Sequence, residues 1–228
     1  MATPYTEAQT SQYLQRIGFP LSKPASYPPP TLDTLHRLVA CHLHAVPFEN
    51  LSLHYSVKPR ITIDKDFVFD KFVNRRRGGY CMEQNRAFSD LLQTLGYDAY
   101  TVGARVHMGN ENGFGGFAHM AIIVTLDGIE YLTDVGFGGY GLTAPLPIFD
   151  GRHIIERPID GVLPEQHRVT VGELPGARKK GHQTWLLQSR RNEKTDWEVI
   201  YAFEKDFEYF PSDYEVYLVR ASMVLMVG

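Results

Sequence analysis

Apolar positions recur with a helical period before Gly96 and take on strand character after it, so the pattern of the chain changes there. Residues 5–17 and 31–46 read as amphipathic helices, separated by a proline-rich connector from Pro20 to Pro30. In the second helix Leu32, Leu35, Leu38, Val39 and Leu43 form the apolar stripe. Thr31 and Asp33 stand near its start, where short polar side chains accept the unpaired N–H groups of a first turn. Residues 81–95 read as a third helix, with Phe88, Leu91, Leu92 and Leu95 as its stripe and Gly96 as its stop.

Beyond Gly96, residues 98–106, 119–126 and 129–137 are rich in Val, Ile, Tyr and Thr and read as strands. Residues 166–174 and 183–203 continue the β region around Arg178, Lys179 and Lys180, a basic loop expected to be a solvated turn. Helices first and antiparallel strands second make the fold class α+β.

The 228 residues, 43% of them hydrophobic, suffice for a sizeable core, and a net charge of −3 gives no reason to expect a nucleic-acid surface. Only two cysteines are present, and the N-terminus lacks the apolar stretch of a signal peptide, so a reducing, cytoplasmic setting is expected. No apolar run approaches the roughly 20 residues that span a bilayer, so no membrane partner is expected.

Cys81 follows Arg77-Gly78-Gly79-Tyr80 and opens the third helix. Two glycines there permit a tight turn that a β-carbon would obstruct. A cysteine in a first helical turn faces unpaired N–H groups and the positive end of the helix dipole, which favour thiolate over thiol. Cys41, inside an apolar helical pattern, reads instead as core filler.

A nucleophilic cysteine needs a base, and the base an orienting partner. His119–Leu126 and Ile129–Phe137 flank Asp127-Gly128, a strong hairpin signal. A two-residue turn pairs Leu126 with Ile129 and, by the same register, sets His119 opposite Gly136 and Asp134 opposite Ala121. His119 and Asp134 then project from one face as diagonal neighbours, with Cα atoms roughly 7–8 Å apart. Ile123 and Leu132 share that face, so the pair should be partly buried, the carboxylate holding the imidazole in one tautomer. The competing reading makes His119 a core histidine and Asp134 a strand-end residue. His42 and His44 are two apart and do not share a helix face, so no metal site is expected.

With these residues in view, the sequence resembles the arylamine N-acetyltransferase family. Residues 77–85 (RGGYCMEQN) are similar to its nucleophile motif, 45–51 (AVPFENL) to its second signature, and 13–18 (YLQRIG) to its first helix. The histidine before a hydrophobic strand and residues 131–138 (YLTDVGFG) complete the likeness, which runs from about residue 10 to 218. The resemblance implies an N-terminal helical bundle at 1–96 carrying the nucleophile and an antiparallel β-barrel at 97–203 carrying the histidine and aspartate. Together these make a cysteine-protease-like triad core. Residues 204–228 would be the remnant of a third, α/β lid segment that is otherwise largely missing, and the apolar stretch from Val219 would be exposed and favour self-association.

By the same resemblance Cys81 accepts an acyl group, His119 is the base and Asp134 orients it. Phe48 and Phe137 would line the acceptor pocket. Gly115 and Gly116 would lie along an acyl-coenzyme A channel, with Gly136 and Tyr201 beside the cofactor. The implied reaction is a ping-pong transfer from acetyl-coenzyme A, malonyl-coenzyme A or another short acyl donor to an arylamine or hydrazine. Two alternatives remain open at this point: a non-catalytic relative that binds without turnover, and a thiol hydrolase of transglutaminase or protease type.

Overall fold

The computed structural model describes residues 4–21, 27–55, 60–109, 113–151, 154–159, 162–174, 177, 179–207 and 209–226, with side chains at 156–159, 162–164 and 219–226 left aside. Arg178 and part of the Pro20–Pro30 connector lie outside the described residues; Lys179 and Lys180 are exposed, as a solvated turn requires.

All three expected helices form. Helix α1 spans Glu7–Arg16, α2 Leu32–Ala45, and α5 Cys81–Thr94. Thr6 opens α1 with a reciprocal Thr6–Gln9 cap, and Thr31 opens α2 by accepting from the Thr34 amide. Two short helices that the pattern did not announce lie between them and α5: α3 (Leu51–His54) and α4 (Lys65–Phe69), the latter running into a π-helical turn at Asp70–Asn74.

The β region is one antiparallel sheet of eight strands in the order β4-β3-β2-β1-β8-β7-β6-β5. The strands are β1 Asp98–His107, β2 Phe114–Leu126, β3 Ile129–Thr133, β4 Leu146–Pro147, β5 Ile155–Ile159, β6 Val162–Glu173, β7 Gln183–Arg190 and β8 Glu198–Phe203. The stretch 183–203, expected to be β throughout, splits into β7 and β8 around a turn. The sheet curls so that β4 returns against β6, a nearly closed barrel around Val102, Ala121, Ile123, Leu132, Val169, Leu187 and Phe203. On the outer face of β1 and β2, Ala99, Ile122 and Val124 pack against Leu14, Leu38, Phe88 and Leu91 of α1, α2 and α5. Fully burying each such leucine stabilises by about 2 kcal/mol relative to exposure. Helix α5 and the outer face of β1 and β2 therefore share one core.

The terminal segment forms α6 (Pro211–Met226). Its Tyr214 and Leu218 are buried with Ile63, Met82 and Met120, and Glu215 accepts from Thr62 Oγ1 (2.6 Å) and the Ile63 amide (2.9 Å). The part expected to be an exposed apolar tail, 219–228, lies outside the described side chains. Among the described residues no helix is long and apolar enough to cross a membrane.

Candidate active site

Cys81 is the first residue of α5 and remains partly accessible, its Sγ 3.6 Å from the Ala118 carbonyl oxygen. The loop before it is built from close approaches. A β-carbon on Gly78 would fall 1.9 Å from the Pro47 carbonyl oxygen, and one on Gly79 would fall 2.5 Å from Glu83 Oε2. Neither glycine has a positive φ, so both are needed for closeness and not for a left-handed turn. The 45–51 and 77–85 motifs meet here: Phe48 and Gly79 form a parallel bridge, and Arg77 pairs with Glu49 at 3.1 Å.

Two buried connections hold the start of α5 from behind. Glu83 accepts the Tyr80 amide at 3.0 Å, and the Lys71 ammonium, carried in by the π-helical turn, reaches both Glu83 oxygens at 2.8 and 2.9 Å. Burial pushes the Glu83 pKa up, and the Lys71 charge and hydrogen bonds oppose it. His42, fully buried, bridges Tyr13 Oη and Gln84 Oε1 at 3.1 Å each, while Gln84 Nε2 donates to the Gly79 carbonyl. Burial lowers the His42 pKa to about 4, against a smaller raising effect of Gln84, so it is a neutral linker of α2 to α5.

His119 and Asp134 arrive from the barrel. Asp127 (φ +50°) and Gly128 (φ +78°) make the two-residue turn, Leu126 pairs with Ile129, and the ladder runs to Ile122 opposite Thr133. There β3 ends, four residues before the expected limit at Phe137, so the expected pairings of His119 with Gly136 and of Asp134 with Ala121 do not form. The physical reason is Gly136: a β-carbon on it would stand 2.7 Å from the Cys81 carbonyl oxygen and 2.8 Å from the Cys81 Cα. The backbone after Thr133 leaves the sheet to press against the first turn of α5.

His119 Nε2 lies 2.6 Å from Asp134 Oδ2, and both residues are 2% exposed. With Nε2 so committed, Nδ1 is the ring nitrogen left to face Cys81. Burial works against the imidazolium, but the charge and hydrogen bond of Asp134, with a smaller contribution from Cys81, outweigh it and raise the His119 pKa to about 10. Burial likewise opposes the Asp134 carboxylate. His119, Asn85 and the Gly136 amide overcome that, and the carboxyl is held below its ordinary value.

Asn85, one turn after Cys81, was not singled out in the sequence. Its Nδ2 donates to Asp134 Oδ1 (2.8 Å) and the Met120 carbonyl (2.6 Å), and its Oδ1 accepts the Val135 amide (2.9 Å). The signal was available, since residues four apart share a helix face. One side chain thus ties α5 to β2 and to the segment that follows β3.

Tyr201, expected beside the cofactor, is fully buried; its hydroxyl donates to Asp134 Oδ2 at 3.1 Å and its ring lies 5.0 Å from that of His119. Gly136, expected there too, is buried against Cys81, and its amide donates to Asp134 Oδ1 at 2.9 Å. Phe137 stands edge-on to the imidazole at 5.1 Å. Phe137 and Phe48 face different cavities. Phe137 lines one of about 530 Å³ with His107, Tyr140 and Ile200; Phe48, 49% exposed, lines one of about 220 Å³ with Gln84, Val135 and Leu142. Gly115 and Gly116 lie in β2 where its pairing with β1 becomes irregular. Among the described residues no group of His, Cys, Asp and Glu is arranged to hold a metal ion.

The family model for N-acetyltransferases matches residues 31–219. An N-malonyltransferase of Fusarium pseudograminearum is 31% identical over 93% of this chain and 68% of its own length. A pineal gland isozyme of arylamine N-acetyltransferase from Gallus gallus is 32% identical over 84% of this chain and 65% of its own length. The solved structure of Mycobacterium marinum arylamine N-acetyltransferase in complex with CoA superposes with a TM-score of 0.72 at 30% identity, covering 91% of this chain and 69% of that one. The chain belongs to the arylamine N-acetyltransferase family. It spans about two thirds of the length of these relatives. In this member of the family Cys81, His119 and Asp134 converge where the helices meet the antiparallel barrel.

Proposed function

We propose that this chain transfers a short acyl group from an acyl-coenzyme A thioester to an aromatic amine or hydrazine, through an acyl-Cys81 intermediate. The observation that carries the reading is the accessible Cys81 at a helix start beside a buried His119 whose other nitrogen is bonded to Asp134. In the first half-reaction His119 already holds the proton given up by Cys81, as its raised pKa requires, and Sγ attacks the thioester carbonyl. The donor carbon–sulfur bond breaks, and His119 returns the proton to the leaving thiol. In the second, the amine attacks the acyl-cysteine carbonyl, the now neutral His119 takes a proton from nitrogen, and the carbon–sulfur bond to Cys81 breaks, leaving Sγ beside the restored imidazolium. Asp134 stabilises the imidazolium in both and stays ionised.

The names of the relatives cover both acetyl and malonyl groups, and acetyl and malonyl donors are the ones proposed here. Phe137 is proposed to shape the acceptor side, a role supported by its edge-on contact with His119. Initial rates with varied acetyl-coenzyme A and an arylamine such as p-aminobenzoate test the reading. Parallel double-reciprocal lines and complete loss of turnover in Cys81→Ala are expected. Turnover that survives Cys81→Ala, or lines that intersect, would contradict it.

A further inference from the structure

Arg105 has no task in the mechanism above. It lies on β1, half-buried, and its guanidinium carbon stands 4.0 Å above the centre of the Phe117 ring. One Nη1–H donates to the Gly115 carbonyl at 3.3 Å, and among the described residues no carboxylate pairs with it. A guanidinium carries five donors, and most of these remain unspent.

Its place follows from a break in the ladder. Pairing of β1 with β2 is regular up to Ala104 opposite His119, then shifts twice, so that Arg105 faces Phe117 and His107 faces Phe114. The irregularity turns the Phe117 ring out of the barrel, onto Tyr209 and Tyr217 at 5.6 Å each. Those tyrosines pack on the cluster that also takes in Cys81 and Met120. The guanidinium, Phe117 and the nucleophile therefore lie on one side of β2. On β2 the first shift skips Ala118 and the second skips Gly115 and Gly116, and glycine there leaves room for a ligand to approach the backbone.

An unpaired, partly desolvated guanidinium beside Gly115 and Gly116 is suited to an anion. Two parts of the donor are anionic candidates: a carboxylate on the acyl group, or a phosphate of the coenzyme. A malonyl carboxylate is two bonds from the carbonyl under attack and would sit at Cys81 itself. Phe117 is two residues from His119, about 7 Å along the strand, and the guanidinium is turned further away, toward Gly115. We propose that Arg105 anchors a phosphate of the acyl donor while the thioester end reaches Cys81. This deepens the acyl-coenzyme A reading and rests on it.

Calorimetric titration with coenzyme A and, separately, with phosphate-free pantetheine tests the assignment without turnover. Wild-type protein should bind coenzyme A more tightly than pantetheine, and added salt should weaken only the former. Arg105→Gln and Arg105→Met, the latter keeping an apolar stem over Phe117, should each weaken coenzyme A about 10- to 100-fold, the loss of one charged hydrogen-bonded contact. Pantetheine affinity and thermal midpoint should stay at wild-type values, and Arg105→Lys should recover part of the coenzyme A affinity. Wild-type affinity for coenzyme A in both charge-removing variants would overturn the proposal. So would equal loss of pantetheine, a loss confined to malonyl-coenzyme A, or a wild-type protein that binds no coenzyme A. Failure of the acyl-transfer reading is seen separately, as wild-type Cys81 that p-nitrophenyl acetate cannot acetylate.

Discussion

The carboxylate of Asp134 is shared by two buried partners on its Oδ2 oxygen, His119 Nε2 at 2.6 Å and the Tyr201 hydroxyl at 3.1 Å. Replacing it by Asn keeps the shape and removes the charge that sustains the imidazolium, and allows the wrong histidine tautomer. Acylation of Cys81 should fall by about 10³-fold or more in Asp134→Asn, measured by rapid-quench mass spectrometry. Stability has a matching sign. The His119 pKa is raised from 6.5 to about 10, so its contribution is complete below about pH 6.5 and fades as pH rises toward 10. Urea midpoints should decline over that alkaline window in wild type and decline less in Asp134→Asn.

Asn85 acts through Asp134 and the hairpin, not on the reacting atoms. Asn85→Ala strands the Val135 amide and the Met120 carbonyl in a buried place, at a cost of about 2–4 kcal/mol in unfolding free energy. Because Asp134 also loses a hydrogen bond that holds it ionised, the acid limb of the acylation pH profile should move up in pH. A purely structural role would lower stability and leave that limb in place.

The reach of the sequence can be judged from these residues. The His119–Asp134 contact was legible because a two-residue turn fixes register, and register fixes which side chains share a face. Cys81 was legible because helix starts announce themselves. Tyr201 was not, since its position depends on β8 folding in beside β1, a pairing far apart in the chain. Lys71 was hidden because it reaches Glu83 from a π-helical turn that no apolar period marks. The early end of β3 was hidden as well: Gly136 reads as one more strand or loop glycine until the Cys81 backbone is seen against it.

Lys71→Met should be among the most damaging substitutions away from the reacting atoms. It leaves Glu83, whose side chain is 0% exposed, without its counter-charge, and should cost about 3–5 kcal/mol. Lys71→Met combined with Glu83→Leu should recover much of that loss in chemical denaturation. Acylation should recover less, because the Tyr80 amide ahead of Cys81 still lacks its acceptor.

His42 predicts an acid-side effect of opposite origin to that of His119. Its pKa is lowered from 6.5 to about 4, so the unfolded chain takes up a proton before the folded one does. Stability should fall as pH drops from about 6.5 to 4, by about 3 kcal/mol from this residue, and this loss should be absent in His42→Gln. Thermal melts across that range, wild type beside variant, measure it.

The central claim is that Cys81 carries the acyl group. Protein incubated with acetyl-coenzyme A and no amine, digested and sequenced by mass spectrometry, should show one acetyl group on the peptide containing Cys81 and none on Cys41. Addition of an arylamine should discharge it, and Asp134→Asn should slow its formation. A wild-type Cys81 that stays unmodified at saturating acetyl-coenzyme A would contradict the account.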